Sequence, residues 1–401
     1  MLRPSADTSA FGMEPAARET ESIPASLPLE LHLWIVVSFL VLLGLIMVYS
    51  ASSTAPFKEL AERAALLKSP SHYLKRQLIC IALGIGIIVL VRRIPHGWYK
   101  EQARWMFLLS IAALMLVLIP GVGAEFNHAR RWFQWRGFSL QPAEYAKVIW
   151  VLFLSVSLVK KQDRIRQVWI GFLPHVLLCG ILSVLVLLEP DFGNTFVVGC
   201  ITVLLLAVGG VPFGQLLTLV PVAVLGFYKF VYLVPYRWER VTAFRNPWTD
   251  PLDSGYQLIQ AWIAVGSGGL LGKGLGAGQQ KLFYLPESHT DFILAVIGEE
   301  LGFAGILAVC ALFFFLFRAG MQISRRAPDL LGSLIAFGLT MLLSIQGLFN
   351  MGVVLGLVPT KGLPLPFVSY GGSAFLANCA AVGVLMSIAR SSENRREPSY
   401  V

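Results

Sequence analysis

Of 401 residues, 56% are hydrophobic and only 55 carry charge, 32 basic and 23 acidic, little more than half the charge of a soluble chain of this length. That excludes an ordinary water-soluble fold. At roughly 20 residues per crossing the apolar residues suffice for about ten membrane helices, so the expected fold is all-α: a polytopic membrane protein of about ten transmembrane helices. The net charge of +9 comes with no nucleic-acid-binding signature; it is assigned to membrane topology and anionic lipid head groups, and no nucleic-acid partner is expected. Cys80, Cys179, Cys200, Cys310 and Cys379 sit inside apolar stretches, without disulfide or metal-ligand spacing.

In chain order, residues 1–31 are polar, proline-dotted and net acidic, which predicts a disordered tail and no cleaved signal. Ten apolar runs follow, near 32–50, 78–91, 105–120, 143–159, 168–188, 194–209, 214–234, 291–317, 332–356 and 367–389, and residues 390–401 form a second tail. An even number of crossings puts both termini on one side. If that side is the cytoplasm, the inner segments hold 14 Lys or Arg in 53 residues and the outer ones 14 in 120, so charge density favours cytoplasmic termini. The outer segment 235–290 is long for a connection, and its aromatic residues (among them Trp238, Phe244, Trp248 and Trp262) predict a structured extracytoplasmic loop rather than a disordered one. The domain reading is therefore a tail over 1–31, a membrane domain over 32–389 and a tail over 390–401.

Charged residues within the runs and outer loops are the functional candidates. Arg130, Arg131 and Arg136 lie in one outer loop, Arg237, Arg240, Arg245, Lys273 and Lys281 in another, and Lys361 in a third. As a group they suit a diphosphate or acidic head group, whose oxygens guanidinium and ammonium ions stabilise. Glu144 and Lys147, three apart on one helix face, form either a structural ion pair or part of a cavity. The glycine-rich stretch 266–278 fails the Walker pattern around Lys273; its glycines either let backbone pass beneath a lipid-linked ligand or shape a turn-rich segment. In the following LPESHTDF, Ser288 and Asp291 have capping-box spacing. Asp291 is thus either a cap at a helix start or a general base at the outer mouth of a cavity, with His289 beside it. Glu299 and Glu300 would continue down the same helix, Glu299 about 12 Å below Asp291, in supporting or cavity-lining roles. Pro359, Pro364 and Pro366 predict a stiff surface segment ahead of the last helix.

The motifs HARRWFQW (128–135), FSLQPAEYAK (138–147), EPDFG (189–193), NPWTDPLDSGYQ (246–257), GSGGLLGKGLGAGQQKLFYLPESHTDFI (266–293) and PTKGLPLPFVSYGGS (359–373) together resemble the SEDS family of shape, elongation, division and sporulation proteins, from residue 32 to about 390. The loop sequences are nearer the division-type members than the elongation-type. The resemblance implies a ten-helix inner-membrane peptidoglycan glycosyltransferase that polymerises lipid II during septal wall synthesis. It places the essential aspartate on Asp291, the membrane Glu/Lys pair on Glu144 and Lys147, and the last basic outer-loop position on Lys361. It further implies a class B penicillin-binding protein and other divisome membrane proteins as partners, no organic cofactor, and a possible divalent cation, Mg2+ or Mn2+. A lipid II flippase and a noncatalytic scaffold are the competing readings; the skew of candidate residues to the outer face favours polymerisation over alternating access.

Overall fold

The computed structural model describes residues 28–52, 70–126, 129–135, 138–253, 255–282, 285–286, 288–360 and 362–394. Lys361, Arg136 and most of both expected tails lie outside the described residues. The helices, in chain order, are α1 (Leu29–Ser52), α2 (Pro70–Val91), α3 (Tyr99–Val117), α4 (Pro142–Lys160), α5 (Val168–Leu188), α6 (Phe192–Val208), α7 (Phe213–Tyr232), α8 (Pro235–Arg245), α9 (Tyr256–Gly268), α10 (Ile293–Glu300), α11 (Gly302–Arg326), α12 (Leu330–Val354) and α13 (Gly372–Asn394). Three short antiparallel strands, β1 (Ala124–Phe126), β2 (Ala129–Trp135) and β3 (Phe138–Leu140), join α3 to α4 in the order β1-β2-β3.

Among the described residues eight helices are long and apolar enough to cross a membrane. Two more complete the set of about ten: α6, with 17 residues, and α3, which carries Lys100, Glu101 and Arg104 in its first two turns. The fold is thus an all-α polytopic bundle. Its centre is α4, α12 and α13: α4 packs on α3, α6, α12 and α13, while α12 also packs on α11 and α6, and α13 on α2. At the other extreme α7 leaves Val220, Val222, Val224 and Leu225 exposed, a surface for lipid rather than water.

Contacts sort the connections between two ends of the bundle. At one end the amide of Leu29 donates to Glu393 Oε1 (2.9 Å), Arg92 pairs with Glu30 (2.8 Å), and His96 reaches Asp329 (3.1 Å). At the other, Arg131 binds the Glu189 and Pro190 carbonyls, Gln141 binds Asp191, and Ser50 binds Glu300. Both ends of the described chain therefore lie on one side.

Four expectations are corrected. The apolar run 291–317 is not one helix: α10 stops at Glu300 and α11 starts at Gly302, whose φ of 68° breaks the ladder in a conformation glycine adopts without cost. Asp291 thus stands ahead of α10, not one long helix above Glu299. Nor do Ser288 and Asp291 form a capping box, because α10 begins only at Ile293, with Phe292 at its N-cap and no side-chain cap. The last helix begins at Gly372, not 367, and the proline segment before it is not on the surface: Leu363, Leu365, Phe367 and Val368 are buried.

The expected outer segment 235–290 contains α8 and α9, and α9 packs on α10. Its glycine-rich stretch is architectural. The amides of Lys273 and Gly274 donate to the Glu299 and Glu300 carbonyls (3.0 Å each), and those of Phe303 and Ala304 to the Gly269 and Leu270 carbonyls (2.9 and 3.1 Å). Loop backbone thereby takes up polar groups that the break between α10 and α11 exposes, which an apolar surround requires.

Candidate active site

The buried side chains of Glu299 and Glu300 fasten the same loop from beneath. Glu299 accepts from the amides of Gln279 and Gln280 (2.9 and 3.1 Å) and from Lys273 Nζ (2.8 Å). Glu300 accepts from Ser50 Oγ (2.6 Å), the Gly276 amide (3.0 Å) and Lys281 Nζ (2.7 Å). Both glutamates are therefore structural, and the Lys273 and Lys281 ammonium groups are committed to them.

A second polar cluster is buried between α4 and α6. Lys147 Nζ donates to Glu144 Oε1 (3.0 Å) and to Asn194 Oδ1 (2.5 Å), while Asn194 Nδ2 donates to Glu144 Oε1 (3.1 Å) and Asp191 Oδ2 (2.8 Å). Asp191 also caps α6 through the Asn194 amide (3.0 Å) and accepts from Gln141 Nε2 (3.1 Å). Glu144 and Lys147 pair, and Asn194 and Gln141 donate to the carboxylates, which is what lets ionised groups persist inside a bundle. Pro142 opens α4 where its missing N–H costs nothing, so the first turn carries Glu144 directly into this cluster.

The Asp291 segment meets the proline segment 362–371. The carbonyl of His289 accepts from the Tyr370 amide (2.9 Å), that of Thr290 from Ser369 Oγ (2.5 Å), and that of Asp291 from Asn350 Nδ2 (2.8 Å). Asn350 also donates to the Leu363 carbonyl (2.8 Å), and Ser369 Oγ accepts from the Leu365 amide (2.8 Å). Asp291 itself is half-buried. A methyl group added at Gly362 would lie 2.8 Å from Asp291 Oδ2, so the residue after Lys361 lies against the carboxylate. The proline segment enters the bundle: Phe367 O and the Val368 Cα would each lie 2.7 Å from a methyl group at Gly44, well inside α1. Prolines 364 and 366 bring no N–H to bury, and the amides of Leu365, Val368, Ser369 and Tyr370 find partners within the segment or on His289, as irregular backbone at membrane depth requires.

The two clusters are joined. Leu363 packs on Gly193, at the start of α6, and Ser373 Oγ donates to the Ser139 carbonyl (2.8 Å) and accepts from the Gln141 amide (3.0 Å). Around His289 the rings of Tyr73 and Tyr370 stand at 5.2 and 5.7 Å. Arg76, on α2, donates to Ser139 Oγ (3.3 Å) and lies near the Tyr370 phenol. Burial pushes the Tyr370 phenol up, with Arg76 opposing. A half-buried aspartate beside an arginine-bearing aromatic group, over a satisfied Glu/Lys cluster, can accept a proton from a bound hydroxyl while cation lies within reach of an anionic leaving group.

Other proposed phosphate contacts have other partners. Arg130 pairs with Glu125 (3.0 Å), and Arg131 donates to the Glu189 and Pro190 carbonyls (2.6 and 2.8 Å), tying β2 to the turn before α6. Arg237 donates to the Phe230 carbonyl (2.8 Å); Arg240 lies with it on α8, which packs on the end of α7 and the turn Pro247–Thr249. Sequence reasoning missed Arg76, Asn350, Tyr73 and Asn194. A basic pair, Lys75 and Arg76, at the outer end of an apolar helix, and an asparagine within an apolar run, were the available signals. Among the described residues no three His, Cys, Asp or Glu side chains converge on one point, so the donor set does not make a protein-built metal site.

The FtsW/RodA/SpoVE cell cycle protein family matches residues 30–394. The chain is 43% identical to a Coxiella burnetii protein named "Probable peptidoglycan glycosyltransferase FtsW", over 90% of this chain and 96% of that one. It is 41% identical to a Geobacter metallireducens protein of the same name, over 86% and 90%. Among solved structures it resembles a chain from a peptidoglycan synthase complex, in a study of the structural coordination of polymerization and crosslinking (TM-score 0.73, 30% identity, 90% and 97% covered). It also resembles the Thermus thermophilus rod shape determining protein RodA (TM-score 0.64, 28% identity, 90% and 96% covered). With the bundle, the EPDFG turn and the Asp291 segment all inside the matched region, the chain belongs to the FtsW/RodA/SpoVE family.

Proposed function

We propose that this protein is a peptidoglycan glycosyltransferase that polymerises lipid II into glycan strands during septal wall synthesis. It works as a multi-pass protein of the bacterial inner membrane with both termini in the cytoplasm, beside a class B penicillin-binding protein and other divisome membrane proteins. The observation that carries the reading is Asp291: a half-buried carboxylate, at the end of the bundle opposite the described chain termini, against Gly362 and within reach of the arginine-bearing Tyr73–His289–Tyr370 group.

Lipid II carries its disaccharide-peptide on an undecaprenyl diphosphate, so the leaving group is built in and no ATP is needed. The GlcNAc 4-hydroxyl of one molecule attacks C1 of the MurNAc of the growing strand. Asp291 takes the hydroxyl proton as the C1–O bond forms, and the bond from C1 to the diphosphate breaks with its electron pair on the diphosphate. A single displacement inverts C1. Cations at the site stabilise the developing charge; Arg76 and Lys361 are the assigned groups, with Glu144 and Lys147 supporting the wall of the site. The closed hydrogen bonding of Glu144, Lys147, Asn194 and Asp191 fits a fixed scaffold better than a site that alternates between two faces.

The test is lipid II polymerisation in proteoliposomes, with the cognate penicillin-binding protein present and its transpeptidase inactivated. The parent should make glycan strands and Asp291→Asn, folded and partner-bound, should make none. Equal synthesis by both would overturn the assignment of Asp291, and lipid II translocation without synthesis by the parent would favour the flippase.

A further inference from the structure

Asn350 lies on α12, in the buried centre of the bundle, and is 1% exposed. Its side-chain amide has two acceptors in front of it, the carbonyls of Asp291 and Leu363, each 2.8 Å away. Because both neighbours are acceptors, the NH2 group must face them, and the carbonyl Oδ1 is left turned away with no partner. A buried acceptor without a donor costs free energy. Asn350 is thus oriented by the two loops it joins, not by its own best hydrogen bonding.

The two loops have separate origins in the chain. One carries Asp291; the other carries Lys361, Gly362 and Leu363, and Gly362 borders the Asp291 carboxylate. Ser369 and the Tyr370 amide hold the carbonyls of Thr290 and His289, so three consecutive carbonyls, 289 to 291, are each held by a different donor. Of these donors Asn350 alone stands on a long helix of the bundle rather than on the proline segment. It therefore fixes both loops to the rigid centre.

We propose that Asn350 is a positioning residue for the transfer reaction: by donating to the Asp291 and Leu363 carbonyls together, it sets the distance between the Asp291 carboxylate and the segment that begins at Gly362. This rests on the reading of Asp291 as the base. A base displaced by about 1 Å loses on the order of 100-fold in rate, and the loss falls on kcat because substrate contacts elsewhere are kept. Ser369 plays a lesser part, since the Tyr370 amide and Asn350 continue to hold the Asp291 segment without it.

Polymerisation kinetics of Asn350→Ala, Asn350→Asp and Ser369→Ala test this in the same proteoliposomes with the partner present, alongside thermal stability in detergent. Asn350→Asp keeps the shape, but a buried acid can donate to at most one of the two carbonyls. Both Asn350 variants should lose roughly 10- to 100-fold in kcat, with KM within about threefold of the parent, and Ser369→Ala should lose less. Parental kcat in a folded Asn350 variant overturns the proposal, as does a loss of activity that only tracks the loss of folded protein. If neither of these Asn350 variants accumulates in folded form, Asn350→Gln decides, because it keeps both amide donors but carries them one methylene further from the helix: a kcat decrease at unchanged KM upholds the clamp, and an unchanged kcat refutes it. Asp291→Asn in the same series separates the two readings, because its retention of activity removes the base assignment whatever the Asn350 variants do.

Discussion

Lys281→Met should be among the most destabilising single changes outside the apolar core, and the reason lies in how its ammonium is used. All three donors are spent: on Glu300 Oε1 (2.7 Å), the Gly276 carbonyl (2.8 Å) and Ser50 Oγ (3.0 Å). The side chains of Lys281 and Glu300 are 2% and 0% exposed, so water cannot replace what is lost. Removing one partner of such a pair costs roughly 3–5 kcal/mol, because the other charge stays buried. With 401 residues and an unfolding entropy of about 2.1 cal/mol/K per residue, that is a fall of roughly 4–6 °C in apparent melting temperature. Lys273→Met supplies the control. Its partner Glu299 is equally buried, but the Lys273 side chain is 31% exposed, and Glu299 keeps two loop amides; the cost should be nearer 1 kcal/mol. The assay is the folded fraction after heating in detergent, read by size-exclusion chromatography, for both variants and for Lys281→Met combined with Glu300→Gln. The double variant should recover at least half of the loss. Equal melting shifts for Lys281→Met and Lys273→Met, or a double variant worse than Lys281→Met alone, would refute the argument.

Asn194→Leu, close in volume, deprives Lys147, Glu144 and Asp191 of hydrogen bonds at once; at about 1–3 kcal/mol per orphaned group it should lower the melting temperature more than Asn246→Leu at the exposed end of α8, and an equal effect of the two would count against a buried network. Gly362→Ala should cut kcat at least tenfold, because the new methyl would lie 2.8 Å from Oδ2 of Asp291, a side-chain atom that must shift to make room; a folded variant with parental kcat would show that the carboxylate position is not critical. Glu189, in the turn after α5, is fully buried with neither carboxylate oxygen hydrogen-bonded, and burial, with Asp191 adding to it and Arg131 opposing, pushes its carboxyl up from 4.5 to about 9. Between those values the folded protein holds a proton that the unfolded chain has released, so the stability contributed by this group is full below about pH 4.5 and is lost as pH rises to about 9. Glu189→Gln removes that slope, and its stability relative to the parent should grow by on the order of 1 kcal/mol per pH unit in melts at pH 6, 7.5 and 9; a gap independent of pH would show that Glu189 is ionised throughout.

Membrane insertion, the number of crossings and the arrangement of loops at two ends are legible in the chain because they follow from long apolar runs, which lipid accepts only as helices with their backbone bonds made internally. Glu144 and Lys147 are legible as a pair for an equally local reason, since three residues on a helix put them on one face. The same locality explains the errors. Ser288 and Asp291 have capping spacing, but the carbonyls of 289, 290 and 291 are taken by Tyr370, Ser369 and Asn350, and the helix starts later, at Ile293. The segment around Pro364 and Pro366 reads as surface because prolines break helices, whereas tertiary contacts bury it against Gly44 and residues 289–291. Lys273 and Lys281 read as cations for a ligand until Glu299 and Glu300, some twenty residues further on, are found beneath them. Local periodicity thus determined the bundle and which residues were polar enough to matter. Whether each polar group faces a substrate or another part of the chain was decided only by tertiary structure, because in a low-dielectric interior a charge takes whichever partner the fold brings within hydrogen-bonding distance, however far away it lies in sequence.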